Sequence, residues 1–298
     1  MNHGGPVAAL IDEGLTTFDP YRRFVSGELP RGAYSDEVIR FREQLVMSTG
    51  LTENEVSLSV RLPLDLDAFT FASYQVMAAA VGLAAPTGDL RERLSSAREA
   101  ISGYDHGTRK TYIFPEEGAL AHLAAATSGA KSAISLGSYY GYWSAWAATG
   151  LASDARLTLV DLDPAVCAAA EKSMDRLELV AEVEIVCAEA TAFLRASDER
   201  YDFALFDAEG PSNPEDSRMR RKAVYGPIIE AFLPVAAPGA LLLAHNILLG
   251  HPFADPYFTR LVSNNKGELL EFHQWLSAAA LARITIPTVE AVGIYRLR

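Results

Sequence analysis

From residue 107 onward the apolar positions fall into two alternating kinds of run. Short, nearly unbroken apolar stretches cover residues 132–137, 156–161, 182–187, 203–207 and 240–245. Segments with helical spacing lie between or after them, at about 142–148, 164–177, 190–195 and 217–233. A further helical segment at about 116–127 precedes the first strand, and another at about 266–278 follows the fifth. Strands that alternate with helices imply a parallel sheet with helices on both faces, and strands apolar on both sides fit such burial. Residues 283–286 and 291–296 read as two closing strands; the short link 287–290 makes them an antiparallel hairpin.

Before residue 107 no strand alternation is present. Residues 1–34 carry Gly and Pro punctuation and read as an irregular arm. Ser35 can cap a helix over about 35–48. Two more helices are predicted at about 67–83 and 89–101, separated by a stop at residues 86–88. The chain therefore divides into an N-terminal arm and helical region, 1–105, and an α/β domain, 106–298.

Composition narrows the function classes. The 298 residues are 49% hydrophobic and 21% charged, an ordinary globular balance. A net charge of -12 repels phosphate backbones, so no nucleic-acid partner is expected. The dense basic cluster, residues 218–222, reads as a solvated helix face. Cys167 and Cys187 make neither a disulfide framework nor a metal spacing. The start shows no signal peptide and no run is apolar enough to span a membrane, so a cytoplasmic protein without membrane contact is expected.

Open parallel sheets bind ligands at the carboxyl ends of their strands, at the switch point after the first. That end is the glycine turn of residues 137–141, Gly-Ser-Tyr-Tyr-Gly. Gly137 can turn the chain against a ligand, and Gly141 opens a helix whose amides suit a carboxylate. The spacing is GxxxG, without the middle glycine that admits a pyrophosphate in the GxGxxG dinucleotide pattern. S-adenosylmethionine (SAM) carries no phosphate and suits this turn better than NAD. Asp161, about 20 residues beyond the turn at the end of the second strand, fits a ribose hydroxyl partner. Asp163 before Pro164 reads as a helix cap. Glu189, after the third strand, can accept from an adenine amino group or serve as an N-terminal helix charge.

The sequence resembles the catechol O-methyltransferase-like family of class I methyltransferases. The resemblance runs from about Tyr112 to Arg298, through the glycine turn and Tyr142, residues 159–164, 188–190, 201–207 and 238–246, a late helix at 269–276 and the closing hairpin. It implies an α/β fold with a Rossmann-like, seven-stranded, mostly parallel sheet, one strand antiparallel. It implies SAM as cofactor, with a pocket lined by Ile113, Gly137, Ser138, Tyr139, Gly141, Tyr142, Ser144, Asp161, Leu162, Glu189, Ala190 and Asp207. It further implies a small-molecule acceptor and, as a further expectation, a homodimer sealed by the N-terminal helices.

Many such enzymes use a magnesium ion, held by an Asp after the fourth strand and an Asp-Asn pair after the fifth, with a Lys three residues beyond the first Asp. Here the fifth strand ends His245-Asn246, the Lys position falls on Gly210, and the acidic residue usual before the glycine turn is Ser135. Asp207, His245 and Asn246 form a poorer magnesium set and favour a softer divalent metal. Two readings of the catalytic residues Asp207 and His245 stay open: a metal that acidifies the acceptor, or a metal-free site in which His245 is the general base, the latter slightly preferred.

The resulting expectation is a SAM-dependent methyltransferase acting on a small molecule, at a hydroxyl oxygen, with Asp207, His245 and Asn246 at the acceptor site. Alternatives are N-methylation of a small amine or amino-acid-like metabolite without metal, a nucleotide-binding oxidoreductase, and a non-catalytic SAM-binding protein. Substrate contacts are expected from Tyr104, His106, Arg109 and Lys110, from residues 209–213 and from residues 251–257. Arg109 and Lys110 read first as solvated linker charges. Trp143 and Trp146 read as core.

Overall fold

The computed structural model describes residues 5–83, 89–248 and 255–298. The chain begins with six helices: α1 Pro6–Leu15, α2 Asp19–Val25, α3 Arg31–Thr49, α4 Glu53–Leu58, α5 Leu66–Val81 and α6 Leu90–Ser102. Then α7 Pro115–Ser128 leads into β1 Ser132–Leu136, α8 Tyr142–Ala148, β2 Arg156–Asp161, α9 Pro164–Met174, β3 Glu182–Cys187, α10 Ala190–Ala196 and β4 Tyr201–Phe206. The chain ends with α11 Tyr225–Phe232, β5 Ala236–Ala244, α12 Pro256–Glu268, α13 Leu270–Ala279, β6 Ala280–Ile286 and β7 Val292–Leu297.

The strands form one seven-stranded sheet in the order β3-β2-β1-β4-β5-β7-β6. The first five are parallel, and β7 runs antiparallel to both β5 and β6. The Rossmann-like sheet and its closing hairpin are thus as expected. Side-chain alternation builds two cores. Ala133, Leu157, Leu159, Phe203, Leu205, Leu241 and Leu243 face one layer, which also takes in α5 to α8 through Tyr74, Met77, Leu94, Ile101, Leu120 and Trp146. Ile134, Leu136, Val160, Ala204, Phe206, Leu242 and Ala244 face the other, with Tyr225, Phe232 and Phe272 from α11 and α13. Trp146 packs so tightly on α7 that a Cβ at Gly118 would lie 2.6 Å from the indole. A third core of Ile11, Phe24, Tyr34, Val38 and Val56 joins α1 to α4 and closes on Phe114, Phe258 and Val289.

Three expectations are corrected. The arm before residue 35 is not irregular: Pro6 and Pro20 stand in the first turns of α1 and α2, where a fixed φ and a missing N–H are harmless. The helix predicted over 217–233 is two 3-10 turns, Ser217–Met219 and Arg221–Val224, followed by α11. Extended backbone at Arg220 (φ -82°, ψ 124°) and a left-handed Arg221 (φ 43°) break it. The helix predicted over 266–278 is the end of α12 and α13, meeting at Leu269. The predicted stop at residues 86–88 lies outside the described residues. Among the described residues no helix is long and apolar enough to cross a membrane.

Candidate active site

The carboxyl ends of β1 to β5 meet at one cavity of about 520 Å3, within the size range of small-molecule sites. The turn after β1 is left-handed at every second residue, with φ 71° at Gly137, 51° at Tyr139 and 88° at Gly141. Gly137 has a second constraint: a Cβ there would lie 2.2 Å from the Ala208 Cα, so the turn seats directly on the loop after β4. Asp161 braces this turn. Its Oδ2 accepts from the Tyr139 amide at 2.8 Å and its Oδ1 from the Asp163 amide at 3.1 Å, leaving one acceptor direction on each oxygen. Asp163 caps α9, as read from the sequence. Glu189 caps α10 with both oxygens, accepting from the Thr191 and Ala192 amides and the Thr191 hydroxyl. Burial would raise its carboxyl; the Thr191 hydroxyl and these amides hold it below its usual range.

The cavity brings together Gly137, Tyr139, Asp161, Leu162, Glu189, Ala190, Asp207, His245 and Asn246. Ile113, Ser138, Tyr142 and Ser144 instead line a narrow cleft of about 20 Å3 behind the turn, which Gly137, Tyr139 and Asp207 also border. Ser135 lies there too and accepts from the Ser144 hydroxyl at 2.8 Å. The Ser138 hydroxyl is buried without a partner among the described residues. Gly141 lines neither space; it opens α8, and a Cβ on it would crowd Met174 and Tyr104.

At the other end, Tyr225 holds the ends of β4 and β5 together, its hydroxyl donating to the Phe206 carbonyl at 2.8 Å and the His245 carbonyl at 3.0 Å. Asp207 and His245 follow those strands. His245 Nδ1 is 3.2 Å from Asp207 Oδ1, and Nε2 is 3.0 Å from Glu117 Oε2. Burial alone would lower the imidazole; the two carboxylates outweigh it and push it up to about 10. Both ring nitrogens are thus engaged by carboxylates, so the general base expected at His245 would have to give up one of these contacts to take a proton from a substrate.

Lys222 is the site residue that sequence reasoning missed. Read within a solvated helix face, it is buried, lines the cavity, and donates to Asp207 Oδ1 at 2.9 Å and the Ala208 carbonyl at 3.2 Å. Burial would raise the Asp207 carboxyl; Lys222 and then His245 hold it below its usual range. Glu117 was missed as well. Its carboxylate also accepts from the Phe114 amide, the Thr288 hydroxyl and the Glu290 amide. The available signal was its place as the third residue of the helix that Pro115 opens, where a carboxylate reaches back to the chain. Burial pushes the neighbouring Glu116 up to about 8 and Glu290 up to about 7.

The donor set does not fit a divalent metal. One Asp207 oxygen already faces both Lys222 and His245, both His245 nitrogens are engaged, and the Asn246 amide donates to Glu290 Oε2 at 3.1 Å. Among the described residues no group of three or more His, Cys, Asp or Glu is arranged as a metal site.

The expected substrate contacts divide. Lys110, Glu209, Gly210 and Pro211 line the cavity, with Lys110 tied to buried Glu55 of α4 at 3.1 Å. Tyr104 and His106 instead bond the backbone and hydroxyl of Tyr140 behind the turn. Arg109 reaches the Ala165 carbonyl at 3.3 Å. Residues 251–254 lie outside the described residues, and Tyr257 packs against Arg42 of α3. Trp143 and Trp146 are core, Trp143 lying beside the His245 ring with centroids 5.5 Å apart.

A family model described as a methyltransferase domain matches residues 134–247. This is the segment that carries the glycine turn, Asp161, Glu189, Asp207 and His245. Over these residues the chain matches a methyltransferase domain. The chain is 28% identical over 140 residues to a catechol O-methyltransferase from Niastella koreensis. That match covers 46% of this chain and 58% of the relative, little more than half the relative's length. A solved, SAH-bound methyltransferase from Podospora anserina shares the fold with a TM-score of 0.50 at 14% identity, covering 76% of this chain and 96% of that one. An O-methyltransferase from Bacillus cereus in complex with SAH aligns with a TM-score of 0.48 at 16% identity, over 78% of this chain and 100% of that chain.

Proposed function

We propose that this protein transfers the methyl group of SAM to a hydroxyl oxygen of a small molecule held in the 520 Å3 cavity. One observation carries the reading: a single cavity joins the Gly137 turn, Asp161 and Glu189 at one end to Asp207, Lys222 and His245 at the other. The first end offers a nucleoside two carboxylates and a GxxxG turn that lacks the middle glycine of a pyrophosphate site. The second offers an acceptor oxygen a carboxylate and an ammonium. The Niastella relative named for catechol O-methylation and the SAH-bound fold neighbour support the same assignment.

SAM carries an already activated methyl group, so the protein's task is to align the acceptor in line with the sulfonium and to exclude water. Lys110 and Tyr112, anchored on Glu55, bring the N-terminal helices over the cavity for that purpose. Labelled SAM offered with a panel of phenols, hydroxy acids and amines tests the reading. Label in a phenol or hydroxy acid is the expected result. Label in amines alone would replace it with N-methylation. SAH binding without transfer to any acceptor would favour a non-catalytic SAM-binding protein.

A further inference from the structure

The position where related enzymes carry a lysine is Gly210, and the backbone shows why. A Cβ on Gly210 would lie 1.8 Å from the Met219 carbonyl oxygen and 2.8 Å from its carbon. No real side chain is tolerated at such distances. The Gly210 amide donates to the Arg221 carbonyl at 3.0 Å, and the Arg221 amide donates to the Pro211 carbonyl at 3.2 Å. The loop after β4 and the segment 217–224 are thus joined edge to edge. Arg221 takes the left-handed conformation at this junction. The next residue, Lys222, lines the cavity.

Lys222 also pairs with the carboxylate that would have to hold a divalent ion. Its Nζ donates to Asp207 Oδ1 at 2.9 Å, the oxygen that also faces His245 Nδ1. Two of its three N–H groups are used, on Asp207 and on the Ala208 carbonyl. One remains for a ligand in the cavity that Lys222 lines. Among the described residues no hydrogen bond falls on Asp207 Oδ2, and Asp207 also lines the cavity.

We propose that Lys222 is a catalytic residue that replaces the divalent ion, its remaining N–H holding the acceptor's oxygen beside Asp207 during a metal-independent methyl transfer. The proposal rests on the methyltransferase reading of the cavity given above. A lone pair of the acceptor oxygen forms the C–O bond as the C–S bond breaks. The bonding pair passes to sulfur, turning the sulfonium into a neutral thioether. The hydroxyl proton passes to Asp207 Oδ2 and leaves to solvent with the product. Lys222 keeps its hydrogen bond to that oxygen throughout and compensates the charge that builds on it in the transition state.

The test uses the full chain after EDTA treatment. Manganese(II) binding is followed by electron paramagnetic resonance, SAH binding by calorimetry, and methyl transfer from labelled SAM with the acceptor the panel identifies. The wild-type chain should bind SAH, leave manganese free in solution and turn over undiminished in EDTA. Lys222→Met should lose transfer by about 100-fold, as expected for removal of one charge-stabilising donor. It should keep SAH affinity within about threefold, because no cofactor contact is removed. Lys222→Arg, which keeps the cation, should recover part of the rate. Manganese bound by the wild-type chain, or turnover restored only by a divalent ion, would overturn the proposal without any variant having to fold. Wild-type turnover in Lys222→Met would overturn it as well. A wild-type chain that fails to bind SAH would remove the cofactor reading first and this proposal with it.

Discussion

His245 Nε2 lies 3.0 Å from Glu117 Oε2, and both side chains are buried. The pair joins the end of β5 to the first turn of α7, 128 residues earlier in the chain. It fixes the imidazole ring whose other nitrogen faces Asp207. Glu117 therefore holds His245 in place without lining the cavity itself.

Glu117→Gln removes one member of a buried charged pair and leaves the other without its counter-charge. Such losses cost about 3–5 kcal/mol. Urea unfolding should show a stability drop of that order. SAH affinity in the folded variant should stay near the wild-type value, because the cofactor end of the cavity is untouched.

Gly137→Ala should damage cofactor binding directly. The added methyl meets the Ala208 backbone at 2.2–2.5 Å in a left-handed conformation. Overpacking of this kind costs about 1–3 kcal/mol, and the turn must move to relieve it. Calorimetric titration should find SAH affinity reduced by at least about tenfold, since 1.4 kcal/mol is tenfold in binding.

Asp161→Asn tests the nucleoside end. The change replaces a carboxylate that braces the Tyr139 and Asp163 amides and has capacity left for ribose hydroxyls. Hydrogen bonds to a charged group contribute about 1.5–3 kcal/mol, so SAH should bind about 10- to 100-fold more weakly. Unchanged affinity would remove Asp161 from the cofactor site.

His122 gives the fold a pH dependence remote from the site. It is buried on α7 and bonded to the Thr149 hydroxyl at 2.9 Å, and burial pushes it down to about 4. The unfolded chain, with a histidine near 6.5, takes up the proton first. The stabilisation is therefore complete above pH 6.5 and is lost as pH falls from 6.5 towards 4, about 3 kcal/mol in all. Raised carboxyls such as Glu116 and Glu290 act with the opposite sign, losing stabilisation as pH rises above 4.5 through about 8 and 7. The difference between wild type and His122→Gln, followed from pH 7.5 to 4, isolates the histidine's part. A difference that does not change with pH would contradict it.

The sheet was legible because its central strands are apolar on both faces, as in β4 and the second half of β5, whereas edge strand β3 is half-exposed and carries Glu182 and Glu184. The strand-end residues were legible for the same reason, since a charged or glycine residue at an apolar run's carboxyl end marks the site edge. What stayed hidden depends on partners distant in sequence. Lys222 sits among Arg218, Arg220 and Arg221, of which Arg218 pairs with Glu230 and Glu271 on the surface, so its composition is that of a solvated face. Only the Gly210 to Arg221 junction turns it inward. Glu117 carries the local mark of a helix first turn, and nothing local says that His245 will meet it. Pro6 and Pro20 were read as interruptions, yet at a helix start they are compatible with the first turn.

Calorimetric titration of the full chain with SAH and, separately, with NAD is the most direct test of the cofactor assignment. One SAH site of about micromolar affinity, with no heat from NAD, is the predicted result. Binding of NAD in place of SAH, or no response to SAH, would contradict the assignment at its root.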